Sequence, residues 1–346
     1  MGEDRVFIKD FPLKALEAWV AGIGERPFRA RQIFRHVYGR LIRSWNECSD
    51  LPKAFRTQLE YGTILNPLET VATEDGSDGT RKFVFRLHDG HLIESVLIPD
   101  PPRLTACLSS QVGCALACRF CLTGTMGFKR HLRTAEIVDQ LIQMQREVGL
   151  HQRITNIVFM GMGEPLANEE ALLNALQILL APEGLGFSHR RVTVSTVGLV
   201  PPMERLGRES PVNLAVSLHA ADDDTRSRLM PINRTYPLAA LMEACRAYPM
   251  PSRKRITFEY ILLKGVNDRP EDARRLVKLL SFVRCKVNLI PFNPHPSLPF
   301  ERPSEESVAA FQHILQQAHL TATIRQSRGA DIRAACGQLA ARMVSS

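Results

Sequence analysis

The sequence predicts an α/β fold: a partial (β/α) barrel preceded by a small helical domain and a β-hairpin. Three observations carry that expectation. From about residue 103 onward, short apolar runs alternate with amphipathic stretches of helix length, the pattern of βα units whose helices pack outside a parallel sheet. Residues 82–98 form two alternating runs around Asp89-Gly90, a strong hairpin signal. The first 62 residues carry helical periodicity.

Taken in order, the opening MGEDRVFIKDFPLK starts acidic and has no apolar stretch of signal-peptide kind. No run in the chain reaches membrane-spanning length. A cytoplasmic, reducing setting is expected, with no membrane partner, so the eight cysteines point to metal binding or catalysis before structural disulfides. The formal charge of +8 suits a polyanion, nucleic acid first, although ordinary solubility would also account for it. The stretch RPFRARQIFRHVYGRLIR contributes Arg26, Arg29, Arg31, Arg35, Arg40 and Arg43, with no acid between Glu25 and Glu47. Ile33, Val37 and Leu41 recur at spacing four, so a helix here packs one face and turns its arginines outward, where they can meet RNA phosphates. A plain solvated face is the alternative. We divide the chain into a basic helical RNA-binding domain (1–62), a linker with the hairpin (63–102) and the barrel domain (103–346).

Residues 73–80, TEDGSDGT, read as a turn-rich linker. The hairpin strands are Lys82–Leu87 and His91–Ile98. The barrel strands are Leu104–Ser109, Ile154–Met160, Arg191–Ser195, Asn213–Leu218, Arg255–Leu262, Lys286–Phe292 and Thr321–Arg325. Helices are expected over Thr134–Gly149 (capped by Thr134, with Glu136 suiting the dipole), Asn168–Leu180, Pro237–Ala247, Pro270–Val283 and Ser304–His319. Six or seven strands fit an open barrel better than a closed eight-stranded one, with ligands at the C-terminal strand ends.

The central signal is Cys114-Ala-Leu-Ala-Cys118-Arg-Phe-Cys121, placed after the first barrel strand and before the first long helix. Three thiolates so close can converge on one centre. Iron–sulfur clusters take cysteine thiolates, and three ligands leave one iron open. A structural zinc site usually wants four closed ligands, commonly as two C-x2-C pairs, and one such pair is present.

This C-x3-C-x2-C loop resembles the signature of radical S-adenosylmethionine (SAM) enzymes. The wider run of CLSSQVGCALACRFC, GMGEPLAN, SLHA, IPFNPHP and RGADIRAACGQL is similar to the adenine-2 methyltransferases of 23S ribosomal RNA and tRNA, over nearly the whole chain. The resemblance implies a radical SAM barrel with a [4Fe-4S] cluster on Cys114, Cys118 and Cys121, and SAM bound by Gly163, Glu164, Ser195, Ser217, Leu218, His219 and Asn293. It further implies that Cys336 accepts a methyl group from one SAM. A deoxyadenosyl radical from a second SAM then activates that methyl group for addition to the base. Cys107 releases the product through a transient disulfide with Cys336, and Glu94 accepts a proton. Taken singly, Cys107 and Cys336 read as small buried hydrophobes and Glu94 as an unremarkable strand residue. Cys48, Cys245 and Cys285 read as structural.

Radical chemistry suits the target, because carbon 2 of adenine is an electron-poor ring carbon that will not attack a sulfonium methyl directly. The implied substrates are naked or partly assembled 23S rRNA, at its peptidyl-transferase centre, and adenine 37 of tRNAs. An electron donor such as flavodoxin is implied, and a monomer is the default. Carbon-8 methylation of the same adenine, as in a close relative, is the alternative. A radical SAM enzyme with another substrate would leave Cys336 dispensable. A zinc-dependent RNA-binding protein would cleave no SAM.

Overall fold

The computed structural model describes residues 5–149, 152–251 and 254–340. The start of the acidic N-terminal stretch and the end of the last expected domain (341–346) lie outside the described residues.

The N-terminal part holds β1 (Val6–Phe7), α1 (Leu13–Gly22), α2 (Phe28–Phe34), α3 (Lys53–Gly62) and β2 (Thr63–Ile64), with β1 and β2 paired parallel. Ile33 and Val37 are buried as the spacing-four pattern requires, and Arg26, Arg31, Arg35, Arg40 and Arg43 are exposed. The expected continuous helix over 26–43 is interrupted. After Phe34 the backbone widens into a π turn over Arg35–Gly39, and Leu41 takes a positive φ of 55°. Beta-branched and aromatic residues (Ile33, Val37, Tyr38) and Gly39 weaken the helix there, and packing of Tyr38 edge-on to Phe34 wins over helical continuity.

The next strands are β3 (Leu68–Asp75), β4 (Arg81–Leu87), β5 (Leu92–Asp100) and β6 (Arg103–Cys107). The first three residues of the expected linker at 73–80 are strand: Thr73, Glu74 and Asp75 pair with Phe83, Lys82 and Arg81. Backbone pairing along this ladder overrides the turn-rich composition, and the turn itself begins at Gly76. The Asp89-Gly90 turn forms as expected, with Gly90 at φ 84° and the Leu87 amide donating to the His91 carbonyl at 2.8 Å.

Beyond β6 come β7 (Gln111–Gly113), α4 (Leu122–Thr125) and β8 (Phe128–His131), with β7 and β8 antiparallel. The alternating part follows: α5 (Thr134–Val148), β9 (Asn156–Phe159), α6 (Glu169–Leu180), β10 (Val192–Thr196), α7 (Val200–Glu209), β11 (Asn213–Ser217), α8 (Asp223–Leu229), α9 (Leu238–Ala247), β12 (Ile256–Leu262), α10 (Pro270–Leu280), β13 (Cys285–Pro291), α11 (Glu305–Gln317) and β14 (Ala322–Ile324). The sequence reading omitted α7 and α8. Two prolines open α7, where missing amides cost a helix nothing, and Asp222 caps α8 by accepting from the Thr225 amide at 2.8 Å. The cap of α5 is Arg133, not Thr134: Glu136 accepts from the Arg133 amide at 2.8 Å, while the Thr134 hydroxyl turns to the Ala171 carbonyl.

Among the described residues one ten-stranded sheet runs β14-β13-β12-β11-β10-β9-β6-β5-β4-β3. Its seven strands from β6 through β14 are parallel, and β5, β4 and β3 extend it antiparallel. The hairpin is therefore continuous with the barrel sheet. The parallel strands curl: Thr105, Asn156, Thr193, Ala215, Thr257, Asn288 and Thr323, one from each, line one common cavity of about 490 Å³. The barrel stays open, with β14 and β3 at its edges.

One apolar core runs from Leu16, Phe34 and Trp45 through α5 into Ile157, Val194, Phe258 and Val287 of the sheet. Buried charges fasten the N-terminal part to it. Lys9 pairs with Asp139 of α5, both side chains fully buried, and Asp139 also accepts from the Leu68 amide. Burial pulls the Lys9 ammonium down from its usual range, while Asp139 opposes that shift. A second apolar cluster, with Phe120, Leu122, Met230, Ile261 and Phe292, lies under the cysteine loop at the C-terminal strand ends.

Candidate active site

The three clustered cysteines ride on a short loop gripped by β7 and β8. Gly113 ends β7 at φ 74°, where a Cβ would stand 1.8 Å from the Gly127 carbonyl oxygen, so glycine alone allows the two strands to close. The Cys114 amide then donates to that same carbonyl at 3.1 Å. Ala117 turns the chain with φ 50°, and the Cys121 amide donates to the Cys118 carbonyl at 3.1 Å. All three cysteines line one cavity of about 150 Å³, together with Phe120, Gly163, Glu164, Ser195, Ser217, His219 and Cys336.

Burial raises the thiols, Cys114 to about 11 and Cys118 and Cys121 upward as well, and negative charge on one raises its neighbours. Such a triad holds as thiolates only around a strongly positive centre. Among the described residues no group of three or more His, Cys, Asp or Glu is arranged to hold a single metal ion. Three thiols on one short loop, at the edge of a cavity with room for a ligand, fit a cluster with an open iron better than closed tetrahedral zinc.

Across the cavity, the β9 strand ends in Gly161-Met162-Gly163-Glu164-Pro165. A Cβ on Gly161 would meet the Leu108 carbonyl at 2.7 Å, and one on Gly163 (φ 97°) would meet Gln111 at 2.5 Å. The two glycines let this turn lie against β6 and β7. Glu164 is buried and accepts from the Leu166 amide at 3.0 Å and the Val197 amide at 2.9 Å. Burial nevertheless lifts its carboxyl to about 7, and no cation counters the shift. A buried carboxylate facing a cavity in this state fits the ammonium of an amino-acid ligand such as SAM.

Ser195 and Ser217 reach the cavity from the ends of β10 and β11. His219 follows at φ 60°, its ring 4.6 Å edge-on from Phe120. Two residues expected on SAM stand elsewhere. Leu218 is fully buried outside this lining; its amide donates to the Glu259 carbonyl at 3.0 Å and its carbonyl accepts from Arg226. Asn293 lines a smaller adjoining cavity, where its Oδ1 accepts from Ser327 Oγ at 2.5 Å.

That adjoining cavity also holds Cys107, at the end of β6, and Cys336, which borders both spaces. Burial pushes the Cys107 thiol up to about 12, and negative charge on Cys336 would push it the same way. The Cys336 segment is tied to the cysteine loop by the Leu122 amide on the Gly337 carbonyl (2.8 Å) and by Thr123 Oγ1 on the Leu339 carbonyl (2.7 Å). Glu94, mid-β5, lines neither cavity. It is buried, faces Lys82 at 3.4 Å and accepts from the Ala340 amide at 2.9 Å.

Three residues that the sequence reading missed shape the site. Arg226 is fully buried and donates to the carbonyls of Val197, Ser217 and Leu218 and to Asn233 Oδ1, clamping the ends of β10 and β11. Glu259, buried in β12, accepts from Asn288 at 3.0 Å through one oxygen, while the other has no partner. Arg325, just past β14, borders both small cavities and the barrel lumen. A lone acid in the apolar run of β12 and a basic residue at a strand end were the available signals. In the N-terminal part, Arg29 is half-buried, donating to Gln32 and lying 4.9 Å over Phe28, and Arg31 meets Glu17 at 3.2 Å.

Comparisons with known proteins agree with this geometry. Residues 108–277 match the radical SAM superfamily, and residues 7–64 match the ribosomal RNA large subunit methyltransferase N-terminal domain. The dual-specificity RNA methyltransferase RlmN of Syntrophobacter fumaroxidans is 64% identical over 97% of this chain and 98% of its own. Its namesake from Geobacter sulfurreducens is 54% identical over 97% and 92%. The crystal structure of a radical SAM methyltransferase from Sphaerobacter thermophilus superposes with a TM-score of 0.93 at 47% identity, covering 97% of this chain and 100% of that one. With its open parallel barrel, cysteine loop and near-full-length similarity, the chain belongs to the dual-specificity RNA methyltransferase RlmN family of the radical SAM superfamily.

Proposed function

We propose that this radical SAM methyltransferase modifies carbon 2 of an adenine in 23S rRNA, at the peptidyl-transferase centre, and of adenine 37 in tRNAs. The observation that carries the reading is the position of Cys336. It borders the cavity of Cys114, Cys118 and Cys121 on one side and that of Cys107 on the other.

A [4Fe-4S] cluster and SAM, when bound, supply a one-electron cleavage of SAM and an electrophilic methyl group. Cys114, Cys118 and Cys121 hold the cluster. Glu164 receives the SAM ammonium, and Gly163, Ser195, Ser217 and His219 complete the pocket. Leu218 supports it from behind and Asn293 from the adjoining cavity. Phe120, Ile261 and Ile290 keep water from the reacting atoms. Cys336 carries the methyl carbon to the base. Glu94 takes up the proton that leaves the adduct. The Cys107 thiolate then attacks the Cys336 sulfur, and the bond from Cys336 to the transferred carbon breaks with its electron pair on that carbon, which takes up a proton to become the methyl group of the released RNA. The exposed Arg26, Arg31, Arg35, Arg40 and Arg43, with Arg29, bind RNA phosphates. Naked or partly assembled rRNA is the expected form, because a ribosome-sized substrate has to be met before it compacts, and a flavodoxin-type donor supplies electrons.

The test is anaerobic reconstitution with iron and sulfide, then incubation with SAM, reductant and a 23S rRNA fragment. Digested nucleosides are read by mass spectrometry. 2-Methyladenosine, absent with Cys336→Ala, is the expected result. 8-Methyladenosine would move the target carbon, and deoxyadenosine with unmodified RNA would overturn the substrate.

A further inference from the structure

Besides its ties to the cysteine loop, the segment that carries Cys336 is held at two points, four residues to either side, and both of these lead to one buried cluster of charge. On the N-terminal side, the Ile332 carbonyl accepts from Lys82 Nζ at 3.0 Å. On the C-terminal side, the Ala340 amide donates to Glu94 Oε2 at 2.9 Å. Lys82 and Glu94 lie diagonally across the β4–β5 ladder and Glu74 of β3 pairs directly with Lys82, with Lys82 Nζ 3.4 Å from Glu94 Oε1 and 3.0 Å from Glu74 Oε1. An ammonium has three hydrogens, and Lys82 faces three oxygens: two carboxylates and one carbonyl.

This cluster is far from ordinary for a strand lysine. Lys82 is 5% exposed and Glu94 3%. Isolated, either charge would be costly in this position, so each depends on the other. The β3–β4 turn strengthens the same attachment. The Ser77 amide donates to Asp331 at 2.8 Å, and the Gly329 amide donates to Asp78 at 3.0 Å. Gly329, at φ 60°, is packed so that a Cβ would meet Thr80 and Ala334 at 2.8 Å.

We propose that Lys82 is a positioning residue for methyl transfer: it fixes Glu94 and the Ile332 carbonyl together, and so holds the Cys336 segment between the cysteine loop and Cys107. Lys82 touches neither cavity and takes no part in bond making. Its work is to set where the Cys336 sulfur rests, and a thiol displaced by an ångström loses rate far more than affinity. The inference rests on the proposed use of Cys336.

The test compares Lys82→Met and Lys82→Arg as reconstituted holoenzymes. Hydrogen–deuterium exchange of the 329–340 peptide is one readout, and kcat and KM for RNA methylation are the other. Lys82→Met should speed exchange of that peptide by about tenfold or more and leave the α10 peptide (270–280) unchanged, as expected for the loss of a charge-assisted anchor. Its kcat should fall at least about tenfold, with KM for RNA within about twofold. Lys82→Arg, which keeps the charge, should recover most of both. Wild-type exchange in Lys82→Met, or an Arg variant as impaired as the Met variant, overturns the proposal. If Lys82→Met does not fold, Lys82→Gln keeps the length and a donor without the charge and should show the same direction of both changes; wild-type values in it overturn the proposal equally. A wild-type enzyme that leaves RNA unmethylated would sink the proposed function, and the exchange comparison would still decide the anchor.

Discussion

The backbone amide of Ile261 donates to Nδ1 of His219 at 3.0 Å. Nδ1 is thereby an acceptor, and the neutral ring carries its hydrogen on Nε2. Burial, reinforced by the nearby Arg226 charge, lowers the His219 pKa to about 3. The ring is a neutral donor at the cavity wall throughout the physiological range. Nitrogen chemical shifts of labelled enzyme should report an Nε2–H tautomer that persists to pH 5. Because the unfolded ring protonates near 6.5 and the folded one does not, its effect on stability is felt as pH falls from about 6.5 toward 3, where the fold loses stability. A His219→Phe variant should lose that part of the acid dependence; an unaltered acid profile would refute the assignment.

Glu164→Gln should weaken SAM binding about tenfold to a hundredfold, the worth of one charge-assisted hydrogen bond to an ammonium. The amide keeps one oxygen for Leu166 or Val197, so the turn should survive. Titration calorimetry with SAM gives the affinity, and an unchanged Kd would remove Glu164 from the ammonium site.

Gly113→Ala places a methyl group against the Gly127 carbonyl in a left-handed backbone. The β7–β8 closure should be lost, at a cost of about 2 kcal/mol or more. The reconstituted variant should hold less iron than wild type, while Gly90→Ala, whose Cβ would meet open space, should hold a full complement. Equal iron in both would show that the closure is not what shapes the loop.

Lys9→Met strands the buried Asp139 carboxylate. It should cost about 3–5 kcal/mol in urea unfolding, whereas Lys9→Met with Asp139→Leu should recover much of it. Additive losses in that double-mutant cycle would mean that the two groups are not coupled.

Much of this molecule is legible in its sequence where one local rule suffices. The β12 and β13 strands are apolar runs bounded by turns, and their limits fall within a residue or two of expectation. The cysteine loop is a spacing, and spacing survives folding. What escapes is set by partners distant along the chain. Thr73–Asp75 looks like a turn until Arg81–Phe83 lies beside it. Leu218 follows a strand-end serine and was expected on the ligand, yet its neighbour β12 takes its amide. Arg226 gives no sign in its helix that three carbonyls from two strands converge on it. Glu94 was visible only by resemblance, and its attachment to Ala340, 246 residues away, was not visible at all.

The two-point suspension of Cys336 also has a meaning in time. Cys336 follows every strand of the sheet in the chain, while Lys82 and Glu94, which hold its segment from either side, lie on β4 and β5, among the earliest strands of that sheet. A nascent chain still lacking residue 329 onward already contains Cys114, Cys118 and Cys121 and the strand-end residues that face them. It lacks Cys336, the sulfur to which the proposed function gives the methyl group. On the proposed function, the residues that gather the reactive centre and the residue that uses it are thus separated by more than 200 positions of synthesis, from Cys121 to Cys336. The second arrives only when residues 329–340 return to β4 and β5.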